Sequence, residues 1–170
     1  GPGIFAITEI FGNLRQSAKN RNNDKAIEQM VWAEMAAAYS FNSAGLGIVH
    51  SMAHAMGGLY DSPHGLCNAI ALVDVCRLNL PACPERFAIM ARAAGIDTRC
   101  MSDMKAGEAF IDLCQELKDD LGITTKFGDL GLKEKDLDSL SKFAAADICS
   151  EGNPVDIGFD NMRAVFKGCM

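Results

Sequence analysis

The sequence predicts an all-α fold, and three observations lead to this prediction. Apolar residues recur at spacings of three and four in several separate segments, as in helices that bury one side. No segment combines the apolar-polar alternation and the β-branched residues that are typical of strands. Hydrophobic residues make up 49% of the chain and charged residues 22%, which is enough apolar material for a core and excludes a disordered chain or a coiled coil.

Two helices are predicted before residue 45. The first covers Ile4–Lys19, and its buried stripe is predicted to contain Ile4, Ile7, Phe11 and Leu14. An asparagine-rich turn follows, in which Asn23 or Asp24 can cap the next helix through a side-chain oxygen. That second helix is predicted to end at about Ser40. Its core-facing residues are predicted to be Ile27, Met30, Val31, Met35 and Ala38.

Three further helices are predicted between residues 48 and 94. The first of them, Ile48–Leu59, is rich in small residues, so neighbouring helices can approach it closely. A turn ends at Pro63, whose φ is already close to the helical value, so the next helix is predicted to begin at about His64. A short helix over Glu85–Ala94 completes this part of the chain.

The last part of the chain predicts one long helix and two shorter ones. Asp103 is the predicted N-cap of an amphipathic helix that ends at Gly122. After a loop, Leu132–Ala146 is predicted to be helical, and Phe159–Phe166 is predicted to form the last helix. The residues of the Leu132–Ala146 helix that are predicted to face the core are Leu137, Leu140 and Phe143.

Length, charge and cysteine content exclude several classes of protein. The chain has 170 residues, which suits a single domain, predicted here over residues 4–170, with residues 1–3 interpreted as the remnant of a cleaved tag. A net charge of −6 argues against a nucleic-acid partner, because such binding depends on clustered Lys and Arg. Seven cysteines without a CxxC pair favour a reducing compartment, so we expect a cytoplasmic location. No apolar run is long enough to predict a membrane span.

All three histidines of the chain fall within fifteen residues. His50 and His54 are four positions apart, so on a helix their Cβ atoms lie about 6 Å apart on one face. His64 begins the next predicted helix, and a hairpin of the two helices would bring its imidazole to the same place. The cluster therefore predicts a site with two or three nitrogen ligands. Such ligands suit a transition ion better than Mg²⁺ or Ca²⁺, which prefer oxygen.

The spacing by itself leaves other roles open for these residues. Histidines in an apolar helix are often hydrogen-bonded packing residues, and the pair lacks the intervening Glu of the metalloprotease signature. Cys67 lies three residues after His64 and could act as a thiolate nucleophile, but a small buried apolar role is favoured. Asp61 is interpreted first as a turn residue.

The segments around these histidines resemble the signature of the iron-dependent (group III) alcohol dehydrogenases. The matching segments are Phe41-Asn42-Ser43-Ala44-Gly45-Leu46-Gly47-Ile48-Val49-His50-Ser51-Met52-Ala53-His54, Met56-Gly57-Gly58-Leu59-Tyr60, Pro63-His64-Gly65, Asn68-Ala69, Asp147-Ile148-Cys149 and Asn153-Pro154. Val155 departs from the Arg that often follows this Asn-Pro pair in the family.

The resemblance implies a two-domain enzyme, of which this chain would be the helical C-terminal domain. An N-terminal Rossmann-like NAD(P)-binding domain and a first metal-ligand helix would lie outside the chain. In the family, one Asp and three His hold Fe²⁺ or sometimes Zn²⁺. His50 and His64 match the last two of these ligands, whereas His54 matches the histidine that faces the nicotinamide and the substrate.

The expected function is therefore that of the metal-binding domain of an NAD(P)-dependent, iron-type alcohol dehydrogenase. Its substrate would be a small primary alcohol or diol, or the corresponding aldehyde, and a homodimer is compatible with the resemblance. We expect the isolated chain to be inactive, because two neutral imidazoles without a carboxylate hold a dication weakly. The alternatives are a non-catalytic helical interaction or assembly module and a zinc enzyme of the glycerol dehydrogenase type.

Overall fold

The structure is a computed structural model that describes all 170 residues, and it contains helices but no strand. The α-helices are α1 (Pro2–Lys19), α2 (Asp24–Ala44), α3 (Ile48–Tyr60), α4 (His64–Asn79), α5 (Pro84–Ala93), α6 (Asp103–Asp120), α7 (Leu137–Ala145) and α8 (Phe159–Gly168). Three 3-10 helices connect some of them: Leu80–Ala82, Glu134–Asp136 and Ile148–Gly152. The all-α prediction is confirmed. None of these helices combines the length and the apolar character that crossing a bilayer requires.

The chain divides into two compact units. The first contains residues 1–44 and 83–122, and therefore α1, α2, α5 and α6. The second contains residues 45–82 and 123–170, and therefore α3, α4, α7 and α8. The single domain over residues 4–170 and the tag remnant at residues 1–3 stay predictions. Helix α1 begins earlier than predicted, at Pro2, which suits a first helical position because it needs no amide hydrogen bond.

In the first unit, α2 buries alanines and not its large apolar residues. Its buried residues are Ala26, Ala33 and Ala36. The prediction that Ile27, Val31 and Met35 face the core is wrong, because their side chains are exposed. Small residues let two helix axes approach closely: a Cβ added to Gly3 of α1 would lie only 2.8 Å from the Ser40 hydroxyl oxygen of α2. The line of contact therefore follows the small residues.

The remaining helices of the first unit pack through aromatic and aliphatic side chains. Phe110 of α6 contacts both Phe11 of α1 and Phe87 of α5, with ring centroids 5.7 and 6.3 Å apart. The predicted N-cap of α6 is wrong by one residue. Ser102 is the cap, and its hydroxyl oxygen accepts a hydrogen bond from the Lys105 amide at 3.3 Å. Asp103 is the first helical residue, where its charge favours the positive end of the helix dipole.

The second unit has a larger apolar core, formed by its four α-helices and the segment that precedes α7. The buried residues of this core are Ile48, Met52, Ala53, Ala55, Met56, Cys67, Ile70, Ala71, Val75, Phe127, Leu132, Leu137, Leu140, Ala144, Ile157, Met162, Phe166 and Cys169. Tyr60, at the end of α3, adds a polar connection, because its hydroxyl donates a hydrogen bond to Asp136 at 2.7 Å. The core and this bond fix α3 relative to the start of α7.

Helix α7 is shorter than predicted and turns a different side to the core. A 3-10 helix over Glu134–Asp136 replaces the first predicted turn. Leu137 and Leu140 are buried as predicted, but Phe143 is 58% exposed. A helix advances about 100° per residue, which places Phe143 roughly 120° from the centre of the buried side. The prediction for Phe143 is therefore wrong.

We expect Gly152→Ala to destabilise the second unit by about 1–3 kcal/mol, because a Cβ on Gly152 would overlap the Leu46 backbone carbonyl oxygen. Gly12→Ala is the matched control. A Cβ on Gly12 would meet nothing within 4 Å in the middle of α1, so this change should be neutral or stabilising by about 0.5–1 kcal/mol. Urea unfolding of the three proteins measures both effects, and equal stability of Gly152→Ala and wild type would contradict the packing described.

Candidate functional site

The three histidines lie together in the second unit. Their ring centroids are 5.3 Å apart for His50 and His64, 5.6 Å for His54 and His64, and 6.2 Å for His50 and His54. The structure thus brings together all three residues that the sequence selected, through the predicted hairpin of α3 and α4. The shortest distance joins His50 of α3 to His64 of α4. The longest joins His50 and His54, which are four residues apart on α3.

The rotation of α3 directs two of these imidazoles toward the site. Ile48, Met52 and Met56 are completely buried and occupy positions four residues apart on one side of the helix. His50 and His54 occupy another side and are only partly buried. The apolar side of α3 is therefore in the core, while its imidazoles remain accessible.

The turn after α3 sets the start of α4 and thereby the place of His64. Asp61 adopts a left-handed conformation with φ of 51°, and its amide donates to the Gly57 carbonyl at 3.0 Å, which confirms its interpretation as a turn residue. Pro63 then precedes His64, the first residue of α4, as predicted. One turn later, the side-chain amide nitrogen Nδ2 of Asn68 lies 3.4 Å from His64 Nδ1.

Cys67 is part of the core and not of the site. Its side chain is completely buried, and burial raises the pKa of its thiol, with a smaller opposing effect from the hydrogen bond to Ser62. The thiol is therefore protonated at neutral pH and a poor nucleophile. Of the two roles that the sequence left open for Cys67, the structure supports the packing role.

Two further residues, Asp147 and Cys149, lie at the site; they belong to a segment that carries the family resemblance, but no role was predicted for them. Asp147 follows α7 and caps the 3-10 helix Ile148–Gly152, its Oδ1 accepting a hydrogen bond from the Cys149 amide at 2.8 Å. Its Oδ2 accepts a second hydrogen bond, from His54 Nδ1, at 3.0 Å. The Cys149 thiol lies beside them: one ligand atom from each of His54, Asp147 and Cys149 falls within 4.8 Å of the others.

The surroundings of Asp147 and Cys149 favour an ionised carboxylate and a protonated thiol. Burial alone would raise the pKa of Asp147, but hydrogen bonds from the Cys149 amide and from His54 hold it below its usual range. Burial raises the pKa of the Cys149 thiol, and the Asp147 hydrogen bond and charge raise it further. Because an ionised carboxylate can only accept a hydrogen bond, His54 Nδ1 carries a proton, and in the neutral imidazole Nε2 then carries the lone pair.

His50 is held in its neutral form. Burial lowers the pKa of His50, and repulsion from His64 and His54 lowers it further, whereas attraction to Asp147 opposes them. The neutral imidazole is the form that binds metal ions. His50 is therefore available as a ligand at neutral pH.

The separation of His50 and His64 fits two imidazoles that share one ion. With metal–nitrogen bonds of about 2.1 Å and a tetrahedral angle, the ring centroids would be about 5.3 Å apart, and the observed distance is 5.3 Å. His54 differs from the other two, because its Nδ1 is already engaged by Asp147. The His50 and His64 centroids are thus closer to the shared-ion separation than the 6.2 Å of the His50 and His54 pair that spacing along one helix suggests.

Comparison with known proteins identifies the family of the chain. Residues 3–170 match the model of the family described as the Fe-containing alcohol dehydrogenase family, C-terminal. The chain belongs to this family. The resemblance recognised in the sequence is thereby confirmed.

Individual relatives are similar over most of the chain. A 1,3-propanediol dehydrogenase of Citrobacter freundii is 44% identical over 151 residues, which cover 89% of this chain and 39% of that protein. An NAD-dependent methanol dehydrogenase of Bacillus methanolicus is 36% identical over 98% of this chain and 44% of its own length. A crystal structure of a 1,3-propanediol oxidoreductase superposes with a TM-score of 0.95 at 39% identity, over 98% of this chain and 44% of that one. The chain thus spans less than half the length of these relatives.

We expect Asp147→Ala to destabilise the protein by about 1.5–3 kcal/mol at neutral pH, because two donors lose a charged acceptor. The folded-state pKa of Asp147 lies below 3.8, so the carboxylate stabilises the fold above that pH and the contribution is lost as the pH falls through the folded-state pKa. The loss should therefore shrink in strongly acidic buffer. Urea unfolding of the variant and the wild type, at neutral pH and in the strongly acidic buffer, is the measurement.

Asp138→Ala is the control for this pH dependence. Asp138 forms an ion pair with Arg163 at 2.7 Å in which both side chains are more than a third exposed, so its loss should cost about 1 kcal/mol or less. A destabilisation by Asp147→Ala that is equally large in acid and at neutral pH would contradict the charge assigned to this carboxylate.

Proposed function

We propose that the protein to which this chain belongs is an NAD(P)-dependent, iron-type alcohol dehydrogenase, and that the chain provides its metal-binding part. The reaction would interconvert a small primary alcohol or diol and its aldehyde. The observation that carries the proposal is the convergence of His50 and His64 beside a third imidazole that a carboxylate holds in place. The names of the relatives, a 1,3-propanediol dehydrogenase and an NAD-dependent methanol dehydrogenase, support the substrate class and the cofactor.

His50 and His64 would hold the divalent ion, Fe²⁺ or Zn²⁺. When bound, the ion supplies a Lewis acid for the oxygen of the alcohol or aldehyde. By the family resemblance, an Asp and another His complete the ligand set from outside the 170 residues. Because two neutral imidazoles compensate none of the ion's charge, the chain alone would bind metal weakly and catalyse nothing. Homodimerisation and a cytoplasmic location remain predictions.

His54 would move the proton that leaves or joins the substrate oxygen. Asp147 accepts from Nδ1, so the Nε2 lone pair is free to take a proton from an alcohol, and the carboxylate stabilises the imidazolium that results. The His54 side chain is 38% exposed, which leaves it accessible to a substrate and to the nicotinamide that it would face. Asp147, with 13% exposure, acts through His54 and is a positioning residue.

We expect His50→Ala and His64→Ala to remove the bound metal and the activity together in a longer form of the protein, extended upstream of Gly1. Each change deletes one of the two imidazoles whose spacing fits a shared ion. Metal content by mass spectrometry, with alcohol oxidation assayed in parallel, is the measurement. Retention of a full equivalent of metal by either variant would reject the assignment. An extended protein that folds but holds no metal would favour the helical interaction module.

His54→Ala should keep the metal and lower kcat by about 10²–10⁴-fold, the usual contribution of a general acid or base. Tyr60→Phe serves as the control on α3, since it removes a hydrogen bond to Asp136 at the end of the helix. Steady-state kinetics on metal-loaded protein distinguish the His54→Ala variant from the Tyr60→Phe control. A His54→Ala variant with the kcat of wild type would show that another group moves the proton.

A further inference from the structure

A second set of donor atoms lies next to the histidine pair. It consists of one ring nitrogen of His54, a carboxylate oxygen of Asp147 and the Cys149 thiol, all within 4.8 Å of one another and all at least partly buried. His54 Nδ1 and Asp147 Oδ2 are only 3.0 Å apart. Asp147 is 93 positions from His54 in the sequence, so the set exists only in the folded chain.

We propose that His54, Asp147 and Cys149 form a binding site for a thiophilic divalent cation such as Zn²⁺ or Cd²⁺, separate from the His50 and His64 pair. Sulfur, imidazole and carboxylate ligands together are typical of zinc, whereas Mg²⁺ and Ca²⁺ require oxygen ligands. A thiolate and a carboxylate also carry two negative charges, which compensate the charge of the ion. The His50 and His64 pair carries none.

The distances between the donor atoms of His54, Asp147 and Cys149 require little rearrangement for an ion to bind. With zinc bonds of about 2.0–2.3 Å, tetrahedral ligand atoms lie about 3.3–3.6 Å apart. The distance of 3.0 Å between His54 Nδ1 and Asp147 Oδ2 is already slightly shorter than this, and the 4.8 Å limit on the whole set means that the distances to the thiol must shorten by about 1.2–1.5 Å at most. Three protein ligands leave a fourth position open for water.

The backbone holds the carboxylate and the thiol in one rigid segment. Asp147 Oδ1 accepts from the Cys149 amide at 2.8 Å, which leaves Oδ2 to turn toward His54 or toward an ion. At the other end of the 3-10 helix, Asn153 and Asn79 exchange two side-chain hydrogen bonds of 2.8 and 2.9 Å. The site is therefore anchored on both sides.

Binding uses the thiol proton and a ring nitrogen of His54. The thiol releases one proton to solvent as its sulfur binds the ion. His54 loses the free lone pair on Nε2 in either binding mode: Nε2 holds the ion itself, or it carries the proton displaced when Nδ1 holds the ion. This consequence rests on the proposed function: without a free lone pair on Nε2, His54 can no longer take a proton from an alcohol. The site would thus make Zn²⁺ an inhibitor of alcohol oxidation.

Cd²⁺ titration of the full, reduced chain tests the site, because sulfur-to-cadmium charge-transfer absorption in the ultraviolet reports thiolate binding and not imidazole binding. We expect one equivalent of Cd²⁺ to develop the absorption in wild type and none to develop it in Cys149→Ser. Cys100→Ser is the matched control, since Cys100 is an exposed cysteine in the other unit, and it should behave as wild type.

Two further variants test the other ligands. Asp147→Asn and His54→Gln should weaken Cd²⁺ binding by about tenfold or more, since even groups that only support a ligand contribute 10–100-fold. They retain the cysteine, so a weaker absorption in them cannot be attributed to loss of sulfur. Far-ultraviolet circular dichroism identifies any variant that fails to fold. The rise in thermal stability on addition of Zn²⁺ compares cation binding by wild type and variants without relying on the sulfur absorption.

The outcomes separate this inference from the proposed function. No absorption in wild type, or an unchanged absorption in Cys149→Ser, would overturn the inference. An absorption that needs Cys149 and persists in His50→Ala would support it, even if the extended protein proved to hold no iron or zinc at His50 and His64. In an active extended protein, inhibition by Zn²⁺ that weakens at least about tenfold in Cys149→Ser would support the link to His54.

Discussion

Burial of one side of α3 is the constraint on which the site depends. Ile48, Met52 and Met56 are completely buried, and each such side chain contributes roughly 1.5–3 kcal/mol through removal from water. Rotating α3 to hide its histidines would expose these side chains and place imidazoles in an apolar core. The helix therefore has one favourable orientation. That orientation directs His50 and His54 toward the start of α4, where His64 lies 5.3 Å from the first and 5.6 Å from the second.

Asp147 distinguishes His54 from the other two histidines. Its carboxylate contacts Nδ1 of His54 at 3.0 Å, so three chemically identical side chains have different surroundings. Under the proposed function, His50 and His64 would hold the ion, and His54 would exchange a proton at Nε2. The same carboxylate lies beside the Cys149 thiol and completes a second donor set. The proposed proton transfer and the proposed cation binding at His54 would exclude one another, because proton transfer needs a free lone pair on Nε2 and cation binding leaves none.

The two units use different kinds of helix contact. In the second unit, large side chains such as Phe127 and Phe166 fill the core, with ring centroids 5.8 Å apart. In the first unit, α2 contributes only alanines to the buried interior. Close approach through small residues leaves the large apolar residues of α2, among them Val31 and Tyr39, on the surface. Hydrophobic periodicity identifies the helix in both cases, but it identifies the buried side only where large residues form the contact.

The sequence by itself determined the helices, their turns and the cluster of histidines, because these depend on local spacing and on residues such as Pro63 and Asp61. The family resemblance also indicated which two histidines pair. Tertiary structure decided the exposed side of α2, the exposure of Phe143 and the contact between His54 and Asp147. These depend on which segments meet, and no local pattern specifies a hydrogen bond across 93 positions. Asp147 and Cys149 were visible in the sequence only as part of a family pattern, and their chemistry became evident once folding placed them against α3.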